Sequence, residues 1–181
     1  MLRFTRIFLL YATVPFCLMA GSSAGNLQQT SAPNVVLIFV DDLGYGDVGC
    51  YGATQVRTPH IDQLASEGVK LTQMYATVPI CCASRASMLT GRYPQSHGLM
   101  DLCFPPFNWK LHDDEKHLSQ LLHEAGYETH LFGMQHEVQD VSRLAFDHVH
   151  HSKPLPACDV IATSVSDYLS QRDRQSKPFF A

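Results

Sequence analysis

Basic charge is scarce in this chain. Its 13 Lys and Arg residues face 17 Asp and Glu, for a formal net charge of −4 at pH 7. That balance argues against a general nucleic-acid surface. There is no internal repeat and no low-complexity tract, which removes solenoid and propeller architectures. Charged residues are only 17% and apolar ones 45% of the 181 positions, so the composition is that of a globular chain with core enough for one domain. Long apolar runs are missing too. The longest, Ile7 to Ala20, falls short of the roughly 20 residues of a bilayer span.

Arg3 and Arg6 precede that run, and Ser22-Ser23-Ala24 follows it with small residues suited to cleavage. Residues 1–24 therefore read as a secretory signal peptide and polar residues 25–33 as a flexible leader. No Cys follows at a lipoprotein position, so no stable membrane anchor is expected and the protein should be exported. Removing residues 1–24 takes away two Arg and no acid, moving the charge from −4 to −6. Five cysteines remain (Cys50, Cys81, Cys82, Cys103 and Cys158). An odd number in an exported protein leaves one free, reactive or modified.

Asn34 to Val40 is a continuous β-rich apolar run, the pattern of a strand buried on both faces of a parallel sheet. It stops at Asp41-Asp42-Leu43-Gly44-Tyr45-Gly46-Asp47. Carboxylates at the carboxyl end of a central strand occupy the place where α/β sheets put ligand sites. Adjacent acids repel, so Asp41 and Asp42 call for a cation or for a solvated turn. Thr58 to Gly68 reads as a helix with Thr58 as cap, Pro59 at its first position and Ile61, Leu64 and Ala65 inward. His60 reads as a surface residue, and Val69 to Ala76 as a strand.

The block from Pro79 to Arg92 follows. Ser84 to Thr90 suit a short helix with Met88 and Leu89 inward and Gly91 as a left-handed stop. Cys81 then lies just before a helix N-terminus, where free N–H groups and the dipole favour an anion. Arg85 lies one turn on and can reach the same anion. Taken alone, a Cys beside an Arg would be an ordinary buried Cys.

Residues 93–113 read as a loop in which His97 could face a pocket. Its aromatics Phe104, Phe107 and Trp109 could line a sugar subsite or cover the core. Glu115 to Ala125 is a helix stopped by Gly126, and Tyr127 to Phe132 a strand leading to Gly133-Met134-Gln135-His136. His148, His150 and His151 beside Asp147 suggest zinc by composition, but without a recognised ligand spacing they read as a solvated loop. Asp159 to Arg172 is helical, with Ile161, Val165, Tyr168 and Leu169 as its buried face. Pro178 to Ala181 opens another strand. Strands and helices alternate, so the fold class is α/β, a mostly parallel central sheet with helices on both faces. A sheet stopping at Ala181 would expose an apolar edge, the expectation for the N-terminal part of a longer protein.

Cys81-x-Ala83-Ser84-Arg85 followed by Leu89-Thr90-Gly91-Arg92 resembles the sulfatase motif Cys-x-Pro/Ala-Ser-Arg with its trailing Leu-Thr-Gly-Arg. Asp41-Asp42-x-Gly44-x-Gly46-Asp47 resembles the metal-binding start of the same family. The resemblance covers residues 34–181 and implies the N-terminal part of an alkaline phosphatase-like sulfatase domain. Within the family the order Pro94-Gln95, Gly133-x-x-His136 and Lys177-Pro178-Phe179-Phe180 looks closest to N-sulfoglucosamine sulfohydrolases.

What that resemblance implies is specific. A maturation enzyme oxidises Cys81 to formylglycine, whose hydrate attacks sulfur with one hydroxyl and expels sulfate with the other. Asp41, Asp42 and residue 81 hold Ca²⁺, with Mg²⁺ as the alternative hard cation. Arg85 stabilises developing negative charge, and His136 positions the group or moves a proton. Further acidic metal ligands come from later in such chains. Met134 stands where many sulfatases carry Lys, so one cation of the sulfate pocket is absent. The substrate implied is a sulfated sugar or glycosaminoglycan, met in a periplasm, outside the cell or, in a eukaryote, in the lysosome. Three other readings fit the residues: a phosphodiesterase or phosphonate hydrolase of the same superfamily, a catalytically silent binder of sulfated glycans, and a fragment with no independent fold.

Overall fold

In the computed structural model, residues 32–150, 157–173 and 176–181 are described. The expected signal peptide, most of the leader, and His151 lie outside them. The sheet is parallel throughout. Its strands β1 (Glu128–Leu131), β2 (His148–Val149) and β3 (Phe179–Phe180) lie in the order β2-β1-β3. Central β1 pairs His130 with His148 on one side and Thr129 with Phe180 on the other. The apolar run at residue 34 extends the sheet beyond β3. Val35 bridges Phe180 in parallel, the Val35 N–H donates to the Phe179 carbonyl at 2.8 Å, and Leu37 N–H donates to Ala181 at 2.7 Å. Parallel neighbours require crossovers, and helix α5 (Cys158–Gln171) supplies the one from β2 to β3. Its Tyr168 ring meets Phe179 edge-on, centroids 5.4 Å apart.

The first run is covered on one face rather than two. Val35, Leu37 and Phe39 are half-buried, whereas Val36, Ile38 and Val40 are exposed, Ile38 at 74%. No described residue covers that second face. Residues 69–76, expected as a strand, form no ladder, and Val69 is 87% exposed. β-propensity without a partner strand does not make a sheet.

Helix α1 (Pro59–Glu67) has Pro at its first position, and Gly68 closes it by donating to the Leu64 carbonyl at 3.0 Å. Thr58 does not cap it. The Thr58 hydroxyl accepts from Gly49 N–H at 2.8 Å and donates to Asp62 Oδ1 at 3.0 Å, and Asp62 also accepts from Cys50 N–H. The helix is thus fastened through a polar face to the 3₁₀ turn at Gly49–Tyr51, leaving Ile61 and Leu64 exposed.

Helix α2 (Cys81–Thr90) is the best-buried element. Cys82 and Ala86 join Leu99, Cys103, Leu111, Val138 and Leu144 in one apolar cluster. Each of those leucines contributes about 1.5–3 kcal/mol by leaving water. Met88 points outward, and Ser87 takes the inward position instead. Gly91 ends the helix at φ 69°, the left-handed stop its sequence position suggests. A short helix α3 (Pro94–His97) follows inside the expected loop. Helix α4 (Leu118–Glu124) starts later than Glu115, because Glu115 turns away to pair with Arg92 at 2.9 Å. His117 caps α4, accepting from Ser119 N–H, while Gln120 reaches back to the His117 N–H.

Candidate functional site

Cys81 is the first residue of α2, and Ile80 before it offers no side-chain cap to the free N–H groups of that turn. The thiol Sγ lies 3.5 Å from His136 Nδ1. One turn on, buried Arg85 sends its guanidinium toward the end of the first apolar run. Arg85 Nη2 is 3.4 Å from Asp41 Oδ1, and the guanidinium carbon stands 5.3 Å from the Phe39 ring centre. Phe39 and Asp41 are two residues apart in an extended segment, so both side chains leave on one side and meet the same cation. The next residue, Asp42, has φ 56°, a left-handed conformation that costs a non-glycine residue about 1–2 kcal/mol. Gly44 completes the turn: its N–H donates to Asp47 Oδ2 at 3.1 Å, and a Cβ there would stand 2.8 Å from that oxygen.

His136 is held by its neighbours. Gly133 has φ 87°, and a Cβ on it would stand 2.9 Å from Ile161 Cδ1, so the chain passes close over α5. Gln135 Oε1 then accepts from Glu137 N–H and Val138 N–H at 2.9 and 3.0 Å, closing a tight turn around His136. The Cys103 thiol donates to the His136 carbonyl at 3.2 Å, and the Phe104 ring lies 5.0 Å from the imidazole. Burial, then the Arg85 charge, holds His136 below the ordinary histidine pKa, with Asp41 opposing. A neutral imidazole beside residue 81 can accept or relay a proton. Glu137, 1% exposed, accepts from the His136 N–H at 2.9 Å, and burial raises its pKa.

The expected site residues thus assemble as two contacts, Cys81 with His136 and Arg85 with Asp41. Asp42 is exposed on the adjoining turn. Asp41, Asp42 and Cys81 do not close into one group of ligand atoms among the described residues. The close groups there are Cys81–Cys82–His136, Glu128–His130–His148 and His112–Asp114–Glu115. His60 is exposed, as expected. His97 is turned into the core: it is completely buried, its Nδ1 accepts from Leu99 N–H at 3.2 Å, and its Nε2 lies 3.0 Å from Ser87 Oγ. The aromatic loop covers the core at one residue and borders a cavity at another. Phe104 packs on the core, while Trp109 joins Lys110, Arg143, Gln139 and Glu137 around a cavity of about 520 Å³.

All five described cysteines are free thiols. Cys82 and Cys103 lie 3.8 Å apart at sulfur, and burial pushes the Cys103 pKa up to about 12, which keeps that thiol protonated and inert. Reading the residues in order did not single out Phe39, Gln135, Glu137 or Cys103. For Phe39 a signal existed, its two-residue offset from Asp41.

The sulfatase family model matches residues 33–181. The chain belongs to the sulfatase family. It is 43% identical to human steryl-sulfatase over 129 residues, 68% of this chain and 22% of that protein. To human arylsulfatase A it is 42% identical over 123 residues, 67% of this chain and 24% of that one. The chain therefore spans less than a quarter of the length of these two relatives. Among solved structures it resembles a 2-O GAG sulfatase (TM-score 0.64, 31% identity, 82% of this chain and 33% of that one). It also resembles a protein solved with its substrate D-glucosamine-2-N,6-O-disulfate (TM-score 0.67, 26% identity, the same coverages). These neighbours carry the α/β sulfatase fold to which the parallel sheet belongs. No described helix is long and apolar enough to cross a membrane.

Proposed function

We propose that this sulfatase-family chain carries the nucleophile half of an exported sulfate ester or sulfamate hydrolase acting on a sulfated sugar or glycosaminoglycan. The observation that carries the reading is Cys81 at the start of α2, 3.5 Å from His136, with Arg85 one turn further on. A solved neighbour bound to a sulfated glucosamine supports the substrate class. Formylglycine at position 81, made by a maturation enzyme, would supply a hydrated aldehyde able to donate one hydroxyl and be regenerated through the other. The oxygen donors of Asp41 and Asp42, with residue 81 once it carries oxygen, would hold a hard cation, Ca²⁺ or Mg²⁺, although the three are not gathered into one ligand group here and Asp41 pairs with Arg85. When bound, that ion polarises sulfate oxygens.

The chain's own residues do the rest. The start of α2 turns N–H groups toward an anion, and Arg85 adds a guanidinium kept in place by Phe39 and Asp41. His136, neutral at physiological pH because burial and Arg85 disfavour its charge, holds or moves a proton at residue 81. Cys82 is wholly buried in the core and is left for packing. Export follows from the basic start and the apolar Ile7–Ala20 run, and secreted protein should begin near Gly25 by intact mass. An uncut N-terminus in the cytosol would sink that part.

Peptide mass spectrometry after co-expression with a formylglycine-generating enzyme tests the chemistry. Conversion of Cys81, and not Cys82, lowers the peptide mass by about 18 Da. In the intact protein Cys81→Ala abolishes sulfate release and Cys82→Ala keeps most of it. Active protein with an unmodified Cys81 overturns the mechanism. Met134, half-buried where a cation is usual, favours one second reading, a silent binder of sulfated glycans. Retention on a heparin column without sulfate release would select it, and faster turnover of phosphate diesters than of sulfate esters would select a phosphodiesterase.

A further inference from the structure

The histidines around residue 148 acquire their missing partners from the neighbouring strand. Parallel register sets His148 of β2 directly beside His130 of β1, and Glu128 lies two residues before His130 on the same face. Glu128 Oε1 is 3.3 Å from His148 Nε2, and Glu128 Oε2 is 3.5 Å from His130 Nε2. One ligand atom from each of the three can be chosen so that all lie within 4.8 Å of one another. Asp147, adjacent in sequence, is not part of the group, because it accepts from Thr129 and pairs with His123.

Two further observations point to a ligand. His130 is 3% exposed, and its Nε2 has only a loose 3.5 Å contact with the Glu128 carboxylate and no well-formed hydrogen bond. The other ring nitrogen is occupied: His130 Nδ1 lies 3.1 Å from His150 Nε2. A metal-bound histidine is arranged this way, one nitrogen fixed by a hydrogen bond and the other turned to the ion. Glu128 is itself held, since Tyr168 Oη reaches Glu128 Oε2 at 3.5 Å and Arg172 Nε donates to Tyr168 Oη at 3.2 Å. In a tetrahedral zinc site with bonds of about 2.0–2.1 Å, ligand atoms stand about 3.3 Å apart. Both carboxylate-to-imidazole distances are close to that edge length.

We propose that Glu128, His130 and His148 form a Zn²⁺ site, separate from the Cys81 centre, that clips the two-residue strand β2 to β1. Two imidazoles and a carboxylate leave a fourth position for water, and borderline nitrogen donors select Zn²⁺ over Ca²⁺ or Mg²⁺. His148 is the accessible ligand, half-exposed at the sheet edge, so the ion can enter from solvent. With the clip in place, β2 is tied by metal bonds as well as by its short ladder.

Metal analysis of the protein after incubation with Zn²⁺ and dialysis, followed by Co²⁺ replacement, tests the site. The expected result is one retained Zn²⁺ that His148→Ala weakens at least about 100-fold, a loss no smaller than second-shell changes produce. The Co²⁺ form should show tetrahedral d–d bands without sulfur-to-metal charge transfer. Glu128→Gln, which keeps the side-chain shape, should weaken binding in parallel and also remove the rise in melting temperature on adding Zn²⁺. No retained zinc would overturn the proposal. So would zinc retained equally by both variants, or a charge-transfer band lost in Cys81→Ser, which would place the ion on the thiols.

Discussion

Acid should unfold this protein through a residue that the proposed chemistry does not use. His117, 2% exposed, caps α4 through its Nδ1, which accepts from Ser119 N–H, and its Nε2 has no hydrogen-bond partner. Burial pushes its pKa from 6.5 down to about 4. The folded state thus refuses a proton that the unfolded chain accepts. Above pH 6.5 His117 is neutral in both states and contributes no pH dependence. As pH falls from 6.5 to 4, stability drops by about 1.4 kcal/mol per pH unit, about 3 kcal/mol in all. A domain with 5–15 kcal/mol in total would feel that loss strongly. The assay is urea unfolding followed by Trp109, the sole tryptophan, at pH 7 and pH 4.5. His117→Asn keeps a good capping acceptor but cannot titrate. It should lose roughly 2.5 kcal/mol less than the parent between the two pH values. Equal losses in both proteins would refute the reasoning, whatever other buried histidines add.

Ser87→Ala should cost about 1–3 kcal/mol in chemical denaturation, because the buried His97 Nε2 would lose its Ser87 Oγ partner at 3.0 Å. No change in midpoint would mean that bond is idle. Met134→Lys in the intact protein should lower the apparent KM for a sulfated substrate by adding the missing cation. An unchanged or raised KM would mean the pocket takes its charge from elsewhere.

How much of this was legible in the residues depends on range. Local signals served well: Pro59 and Gly68 bracket α1, Gly91 stops α2, and the alternation of strands and helices matches a parallel sheet. They served poorly where a partner decides. Thr58 looked like a cap but spends its hydroxyl on Gly49 and Asp62, and Glu115 left its helix for Arg92. Residues 69–76 have strand composition and, among the described residues, no strand beside them. The site divides the same way. The spacing from Cys81 to Arg85 is written in sequence, whereas the grip of Asp41 and Phe39 on Arg85 joins segments more than 40 positions apart. The histidines near 148 could not be read as ligands because Glu128 and His130 reach them only through strand register. No local spacing encodes that register.

The uncovered face of the first strand has a consequence for handling the protein. Val35 to Val40 is six apolar residues without charge, Pro or Gly, and three of them point into water. Beyond Leu37 this segment has no described partner on either flank. A stretch of that composition is a template for cross-β stacking of one copy upon another. Solutions of the chain without residues 1–24 should therefore turn turbid with rising concentration and with added salt, which screens the repulsion between like-charged chains.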